Sequence, residues 1–202
     1  MSFNAIARRR LGSAAMGLAC LVLAGLVAWP FMANKATGLG TRNAGDITGS
    51  VGEAGRTLGP SGLPLPRFVS LKADKVNVRK GPSSDHKVAW VFQMKGLPVE
   101  IIAEFENWRR IRDSDGEEGW VYQSMLSGRR MAVVAPWRKD ENVAMRSKPA
   151  KDSAPIAEMK AGVMATVESC DGEWCDVNAS GYTGYVAQTM LWGVYPGEKV
   201  DN

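Results

Sequence analysis

The chain of 202 residues carries a formal net charge of +4 and has a sequence pI of about 9.0, a basic balance that many nucleic-acid-binding proteins share. The excess lies in the N-terminal third, which includes Arg8, Arg9 and Arg10, whereas the last third is acidic. A nucleic-acid-binding domain concentrates its basic residues on one face. The distribution therefore argues against nucleic acid as a partner of the folded domains.

The N-terminal segment, residues 1–33, has the pattern of an export signal. Three arginines precede residues 11–32, a stretch without a charged side chain. A basic region followed by an apolar one is typical of a signal peptide, and about 20 apolar residues also suffice for an uncleaved membrane anchor. Both alternatives place the rest of the chain outside the cytoplasm. We expect a periplasmic or exported protein, anchored in the inner membrane by residues 11–32 if the segment is retained.

Residues 34–67 are rich in glycine and proline and poor in large apolar side chains. Such a segment buries too little surface to offset the entropy of ordering it, so the composition predicts a flexible linker. Its end, residues 63–67, is prone to polyproline II structure. Either Leu63, Leu65 and Phe68 pack on the first domain as the chain enters it, or the segment occupies that domain's own ligand groove.

The remainder of the chain is an internal repeat. The run 76–79 returns at 143–146, and Pro82 returns as Pro149. Near the end of each copy stand Gly119-Trp120-Val121-Tyr122-Gln123 and Gly184-Tyr185-Val186-Ala187-Gln188. Self-similarity at a fixed period indicates tandem copies of one structural unit. We therefore predict two domains, residues 68–130 (domain 1) and residues 131–198 (domain 2).

Each copy reads as a succession of short strands and turns. In domain 1 the predicted strands cover 69–71, 76–79, 88–92, 97–103, 108–112 and 118–122, with a helical turn at 123–125 before a last strand through Leu126. Many short strands joined by regular turns in so few residues are typical of a small β-barrel or sandwich. The sequence predicts an all-β protein of two small tandem barrels.

Two cysteines of the second copy predict a disulfide. Cys170 and Cys175 occupy the repeat positions of Glu104 and Arg109, which carry opposite charges. Both pairs suit residues that face each other across a tight hairpin, where the Cα atoms lie within reach of a disulfide. A zinc site is disfavoured, because two cysteines without a nearby histidine supply at most half of the ligands.

Several motifs of the first copy resemble the signature of bacterial SH3 domains. They are Val76-Asn77-Val78-Arg79-Lys80-Gly81-Pro82, Leu97-Pro98-Val99, Asn107-Trp108 and Gly119-Trp120-Val121. Residues 62–71 and 191–198 are similar to a family of exported tandem-SH3 proteins of α-proteobacterial type. The second copy departs from the pattern at Met145, Lys148 and Tyr185. The resemblance implies SH3-like barrels and a binding role.

The aromatic side chains are more numerous than two small cores can bury. Together they predict a groove that docks extended, proline-rich or cell-wall peptides. The expected groove residues are Trp90, Phe92, Trp108, Trp120, Tyr122, Trp174 and Tyr185. A further aromatic residue, Trp137, stands at the junction of the two copies, where almost no linker separates them. We expect Trp137 to be buried between the barrels.

The chain offers little that could support catalysis. The single histidine, His86, lies in a polar loop, and without a second histidine or an unpaired thiol a Cys–His hydrolase is not assembled. Asp113, Asp115, Glu117 and Glu118 fit a charged turn better than a metal or acid–base site. We expect no cofactor, no metal and no enzymatic activity.

The expected function is binding of peptidoglycan or an extended peptide at the cell envelope. An adaptor for a periplasmic protein partner is the first alternative. A divergent form of a cell-wall hydrolase, or an accessory to one, is a distant second alternative.

Overall fold

The structure of the protein, a computed structural model, describes residues 8–10 and 57–201. In these residues the chain is all-β and forms two consecutive small β-barrel domains, as predicted. Among the described residues, no helix is long and apolar enough to cross a bilayer. The export signal expected over 1–33, apart from the backbone of Arg8–Arg10, and the linker over 34–56 lie outside the described residues.

Ten strands build the first domain and the segment that leads into it. They are Arg8–Arg10 (β1), Thr57–Leu58 (β2), Pro64–Leu65 (β3), Arg67–Leu71 (β4), Val76–Arg79 (β5), Val88–Phe92 (β6), Pro98–Phe105 (β7), Trp108–Arg112 (β8), Glu118–Tyr122 (β9) and Leu126–Ser127 (β10), with the 3-10 turn Gln123–Met125 before the last. The main sheet has the order β1-β6-β5-β9-β8-β7-β4-β10, and β2 pairs only with β3.

Eight strands build the second domain. They are Met131–Val134 (β11), Asn142–Arg146 (β12), Pro155–Lys160 (β13), Met164–Asp171 (β14), Trp174–Ala179 (β15), Tyr182–Ala187 (β16), Leu191–Trp192 (β17) and Lys199–Val200 (β18), with the 3-10 turn Gln188–Met190 before β17. The sheet order is β13-β12-β16-β15-β14-β11-β17, and β18 pairs with β14. Strand for strand, this order matches the part of the first sheet that runs β6-β5-β9-β8-β7-β4-β10. The internal repeat of the sequence is therefore also a repeat of topology.

The strands alternate between an inner and an outer face. On β9, Gly119 and Val121 are buried, whereas Glu118 and Tyr122 are exposed. The β8–β9 hairpin is closed by Asp113, whose Oδ1 accepts hydrogen bonds from the backbone N–H groups of Asp115 at 3.0 Å and Glu117 at 3.1 Å. Asp113 is therefore a turn-forming residue, in agreement with the reading of these carboxylates as a charged turn.

The two predicted cross-strand pairs occupy equivalent places. Cys170 and Cys175 face each other on β14 and β15 and form a disulfide. Glu104 and Arg109 face each other on β7 and β8, with Arg109 Nε at 3.2 Å from Glu104 Oε1. Both predictions are confirmed, because the hairpin register of the two copies is the same.

Loss of this disulfide is expected to destabilise domain 2. Because the closed loop is short, replacement of Cys170 and Cys175 by alanine should lower the free energy of unfolding by about 2 kcal/mol. Denaturant unfolding of the double variant measures this cost. Alkylation of the unreduced, denatured protein followed by peptide mapping checks the bond itself. Recovery of both cysteines as free alkylated thiols would contradict it.

The domains share a packed interface. Phe68 is only 7% exposed, and its ring lies 5.0 Å from that of Trp192 and 4.6 Å from that of Tyr195, between ring centroids. Trp192 Nε1 donates to the carbonyl oxygen of Pro98 at 3.4 Å. Val133, at the start of domain 2, belongs to the hydrophobic core of domain 1. Burial of these side chains across the boundary couples the stability of the two domains.

Polar contacts fix the same interface. The buried carboxylate of Glu100 accepts hydrogen bonds from Tyr195 Oη at 2.8 Å and from Arg112 Nη2 at 2.6 Å. On the other side, the guanidinium of Arg130 forms two hydrogen bonds with Glu198, at 3.0 and 2.9 Å. Charged groups that are paired and hydrogen-bonded in this way resist separation of the domains, since separation leaves a charge unpaired.

The expectation that Trp137 is buried between the barrels is wrong. Its side chain is 54% exposed, because the chain turns at Ala135, where the N–H of Arg138 donates to the Ala135 carbonyl at 2.9 Å. This turn places Trp137 at the rim of the interface. The space between the domains is filled by Phe68 and Trp192, which are distant in sequence.

The flexible linker expected over 34–67 ends earlier than predicted. β2 and β3 pair with each other. Glu104 of β7 fixes the segment from β2 to β4, since its carboxylate accepts hydrogen bonds from Ser61 N–H, Ser61 Oγ and Arg67 Nη2. Burial acts to raise the pKa of Glu104, but these hydrogen bonds hold the pKa below its usual value. Of the three side chains expected to pack, Phe68 is buried and Leu65 half-buried, whereas Leu63 is exposed.

Candidate ligand-binding surface

The outer face of β5, β9 and β8 gathers aromatic and basic side chains. Across β9, Trp120 faces Arg79 of β5 on one side and Arg110 of β8 on the other. The next outward pair along the two strands is Trp108 and Tyr122. We refer to these five residues as the aromatic–arginine face.

Trp108 and Tyr122 form its aromatic end. Their rings meet edge to face, with centroids 5.4 Å apart, a geometry that aromatic pairs prefer. Tyr122 is 40% exposed, and Trp108 and Trp120 are half-buried. Because core positions on these strands are taken by Val121 and Ile111, the three aromatic rings lie outside the core and remain open to solvent on one side.

The two arginines of the face are held in place by neighbouring groups. Arg110 Nη2 lies 2.7 Å from Glu118 Oε2, and Arg79 Nη1 donates to the backbone carbonyl of His86 at 2.6 Å. His86 itself is exposed, as expected from its polar loop. Each guanidinium has five N–H groups in a planar fork, so these contacts orient the arginines and leave donors that can meet a carboxylate.

The equivalent face of domain 2 has different chemistry. Tyr185 faces Arg146 across β16 and β12, which reproduces the Trp120–Arg79 pair. The position of Arg110 is taken by Asp176, which faces Tyr185. Burial, and then the charge of Glu168, raise the pKa of Asp176. Trp174, the equivalent of Trp108, is buried, so domain 2 presents fewer open rings and a carboxylate in place of a cation.

The seven aromatic residues predicted for the groove therefore divide into two groups. Trp90 and Phe92 belong to the hydrophobic core of domain 1, and Trp174 is buried in domain 2. Trp90 and Phe92 are unavailable to a surface groove because they alternate inward on β6. Trp174 keeps the outward parity of Trp108, but its side chain is buried, so it is not open to a ligand either. The structure brings together three of the others, Trp108, Trp120 and Tyr122, and places Tyr185 on the second domain.

The arginines of the face were not among the predicted site residues. The sequence does indicate that Arg110 belongs to the face. Arg110 is two residues from Trp108 and next to the apolar Ile111 on β8, so its side chain is expected on the same outward side as Trp108. Arg79 carries no comparable signal, because its place beside Trp120 depends on the pairing of β5 with β9.

In the described ranges, 8–10 and 57–201, no group of three or more histidine, cysteine or acidic side chains is arranged to hold a metal ion.

Comparison with solved structures gives distant likenesses. The structure of NlpC2 from Trichomonas vaginalis shares 18% sequence identity over 63% of this chain and 48% of its own, with a TM-score of 0.29. NlpC1 from the same organism shares 18% identity over 62% of this chain and 45% of its own, with a TM-score of 0.28. The chain thus spans about half the length of these proteins. No curated protein matches it.

The sequence model of the bacterial SH3 domain matches the chain twice, over residues 72–128 and again over residues 139–193. Each match falls within one of the two β-barrel domains and covers the strands that carry the outer face just described. The matched segments include more than half of the chain. With one copy in each domain, the protein belongs to the bacterial SH3 domain family.

Proposed function

We propose that this protein is an exported, non-enzymatic binding protein that holds peptidoglycan, or an extended peptide of the envelope, on the aromatic–arginine face of domain 1. The observation that carries the proposal is the outward position of Trp108, Trp120 and Tyr122 beside two oriented arginines. Aromatic rings gathered on a surface leave apolar area in water, and such patches mark sites of interaction.

The chemistry of the ligand matches that of the face. Bacterial SH3 domains generally bind cell-wall or peptide ligands. Sugar rings and peptide backbones stack on aromatic side chains, and the carboxylates of peptidoglycan stem peptides suit the guanidinium groups of Arg79 and Arg110. In domain 2, Asp176 would repel the same carboxylates. The proposal therefore places the main binding site on domain 1.

The disulfide supports export of the folded domains. Disulfides form and persist in oxidising compartments such as the bacterial periplasm and are rare in the cytosol. The Cys170–Cys175 bond joins the neighbouring strands β14 and β15 in domain 2, and the presence of this bond agrees with the basic and apolar pattern at the N-terminus.

Co-sedimentation with purified sacculi tests the proposal. The full chain is expected to sediment with sacculi, and Trp120→Ala should weaken binding about ten-fold, the size of effect expected when a central aromatic contact is truncated. Tyr185→Ala is the matched control, since Tyr185 occupies the same register position in domain 2, and it should bind within about two-fold of the wild type. Unfolding curves of both variants verify that the domains are intact.

Two outcomes would overturn the proposal. Equal binding of the wild type and Trp120→Ala to sacculi would show that the aromatic–arginine face does not contribute to binding. Failure of the wild type to sediment would favour the alternative function, an adaptor for a periplasmic protein.

A further inference from the structure

A pocket lies at the boundary between the two domains, where the segment from β2 to β4 enters domain 1. Its volume is about 460 Å³, within the range of small-ligand sites. The lining comes from this segment, from domain 1 and from the end of domain 2, and none of the described lining residues belongs to the aromatic–arginine face. The lining includes three arginines, Arg67, Arg109 and Arg130, and the apolar side chains of Leu63, Pro64 and Leu126.

The charged groups of the pocket leave a positive charge in excess. Arg67 and Arg109 share a single carboxylate, that of Glu104, whose Oε1 lies 2.6 Å from Arg67 Nη2 and 3.2 Å from Arg109 Nε. Arg130 has a carboxylate of its own, since its Nη1 and Nη2 donate to Glu198 at 3.0 and 2.9 Å. Three guanidinium groups are therefore balanced by two carboxylates, and the pocket favours an anion.

Arg67 keeps donors that a ligand can reach. Its Nη1 and Nη2 donate to the Pro64 carbonyl and to Glu104, which uses two of the five N–H groups of a guanidinium. Nε has no hydrogen-bond partner among the described residues, and unlike the Nε of Arg130 it is not buried from solvent. Since the Arg67 side chain is 16% exposed and lines the pocket, it is placed to donate to an anion there.

The charge and the walls of the pocket favour a carboxylate over a phosphate. A carboxylate compensates the single excess charge, whereas a phosphate monoester brings about 1.5 to 2 negative charges at pH 7. A guanidinium also matches a carboxylate well, because the two can form parallel hydrogen bonds. Leu63, Pro64 and Leu126 leave apolar surface in the same pocket, which a short apolar side chain of the ligand would cover.

We propose that this pocket binds a carboxylate of a peptide. The carboxylate accepts hydrogen bonds from Arg67, and the neighbouring apolar side chain of the peptide packs against Leu63 and Leu126. The site goes beyond the function proposed above and does not depend on it, because its lining residues differ from those of the aromatic–arginine face.

Titration of the full chain with Nα-acetyl-alanine tests the proposal, since this probe combines a terminal carboxylate with a methyl side chain. The NMR resonances of Arg67 Nε–H and of the Gly128 amide, both in the lining, are expected to shift with a dissociation constant on the order of a millimolar. The neutral analogue Nα-acetyl-alanine amide should bind at least about five-fold more weakly.

A second probe distinguishes the two sources of a peptide carboxylate. Nα-acetyl-glutamate α-amide carries the same charge as Nα-acetyl-alanine but presents a side-chain carboxylate. The tighter of the two probes identifies whether the pocket takes a chain terminus or an acidic side chain, and binding of either at Arg67 supports the proposal.

Gln123→Glu fills the pocket's excess of positive charge from within. Gln123 is exposed, lines the pocket and accepts a hydrogen bond from Arg109 Nη2 at 2.7 Å. Glutamate keeps this acceptor and adds a third carboxylate, so the variant should bind Nα-acetyl-alanine at least about five-fold more weakly. Gln93→Glu is the matched control, because Gln93 is exposed on domain 1 outside the pocket, and its affinity should stay within about two-fold of the wild type.

Arg67→Gln removes the proposed donor and should weaken binding of Nα-acetyl-alanine about ten-fold. Because Arg67 also holds Pro64 and Glu104, this variant can lose stability. Gln123→Glu keeps the test decisive in that case, and thermal unfolding of all three variants verifies the fold.

Four results would overturn the proposal. They are equal affinity for Nα-acetyl-alanine and its amide, unchanged affinity in Gln123→Glu, tighter binding of inorganic phosphate than of either carboxylate probe, and no shift at Arg67 or Gly128 at about ten times the expected dissociation constant. Trp120→Ala should weaken sedimentation with sacculi and leave the affinity measured at Arg67 unchanged. Failure of the pocket and failure of the proposed function are therefore distinguishable.

Discussion

Phe68→Ala is expected to lower the free energy of unfolding of the full chain by about 3 kcal/mol and to give two thermal transitions, where the coupled domains of the wild type are expected to give one. The ring is buried against Trp192 and Tyr195 of the second domain. Its removal therefore opens a cavity at the interface and weakens the coupling between the domains, in addition to the transfer cost. Differential scanning calorimetry measures the number of transitions, and denaturant unfolding measures the free energy.

Phe105→Ala is the matched control for this prediction. Phe105 lies on the same domain and is 50% exposed, so the same truncation there should change stability by no more than about 0.5 kcal/mol. A Phe68→Ala variant with one unchanged transition would show that the interface does not couple the domains.

Gly193→Ala is expected to cost more than about 3 kcal/mol, since it combines two of the effects that produce large losses of stability. Gly193 has a φ of +125°, which side-chain-bearing residues rarely adopt. A Cβ atom there would collide with the backbone carbonyl oxygen of Met131 and lie 3.0 Å from the Cα of Ala132. Backbone cannot move aside as a flexible side chain does, so β11 and β17 would have to separate at the interdomain boundary.

Gly162→Ala provides the comparison for Gly193→Ala. Gly162 also has a positive φ, of +88°, but a Cβ there would meet nothing within 4 Å. Only the backbone strain remains, which should cost about 1 kcal/mol. Equal losses of stability in the two variants, measured by urea unfolding, would show that the close approach of β17 to β11 has no energetic role.

The strands and their succession along the chain could be predicted from the sequence, because the repeat and the turns constrain them. Two copies of one pattern predicted the same hairpin register, and the register placed Cys170 opposite Cys175. Gly119 and Val121 alternate with larger outward residues on β9, so the period of two was visible there. The segment at 57–66 was missed because its order comes from the distant carboxylate of Glu104.

Only part of the candidate site could be predicted from the sequence, because a strand made only of apolar residues does not show which side chains point outward. In β6 every residue is apolar, so nothing in the run shows that Trp90 and Phe92 point inward. On β8 the apolar Ile111 stands between Arg110 and Arg112, and this alternation indicates that Trp108 points outward with the two arginines. The choice of Phe68 over Trp137 as the interface residue depends on how two folded domains meet, and no local pattern records it.

NMR of the full chain with labelled tryptophans tests the central claim most directly, because the sequence contains seven indole reporters at separate places. On titration with soluble peptidoglycan fragments, the account predicts that the indole resonances of Trp108 and Trp120 shift together, while the buried Trp90 stays unchanged. Shifts confined to Trp137 and Trp192, or no shift at Trp120 under conditions in which the protein sediments with sacculi, would contradict binding at the aromatic–arginine face.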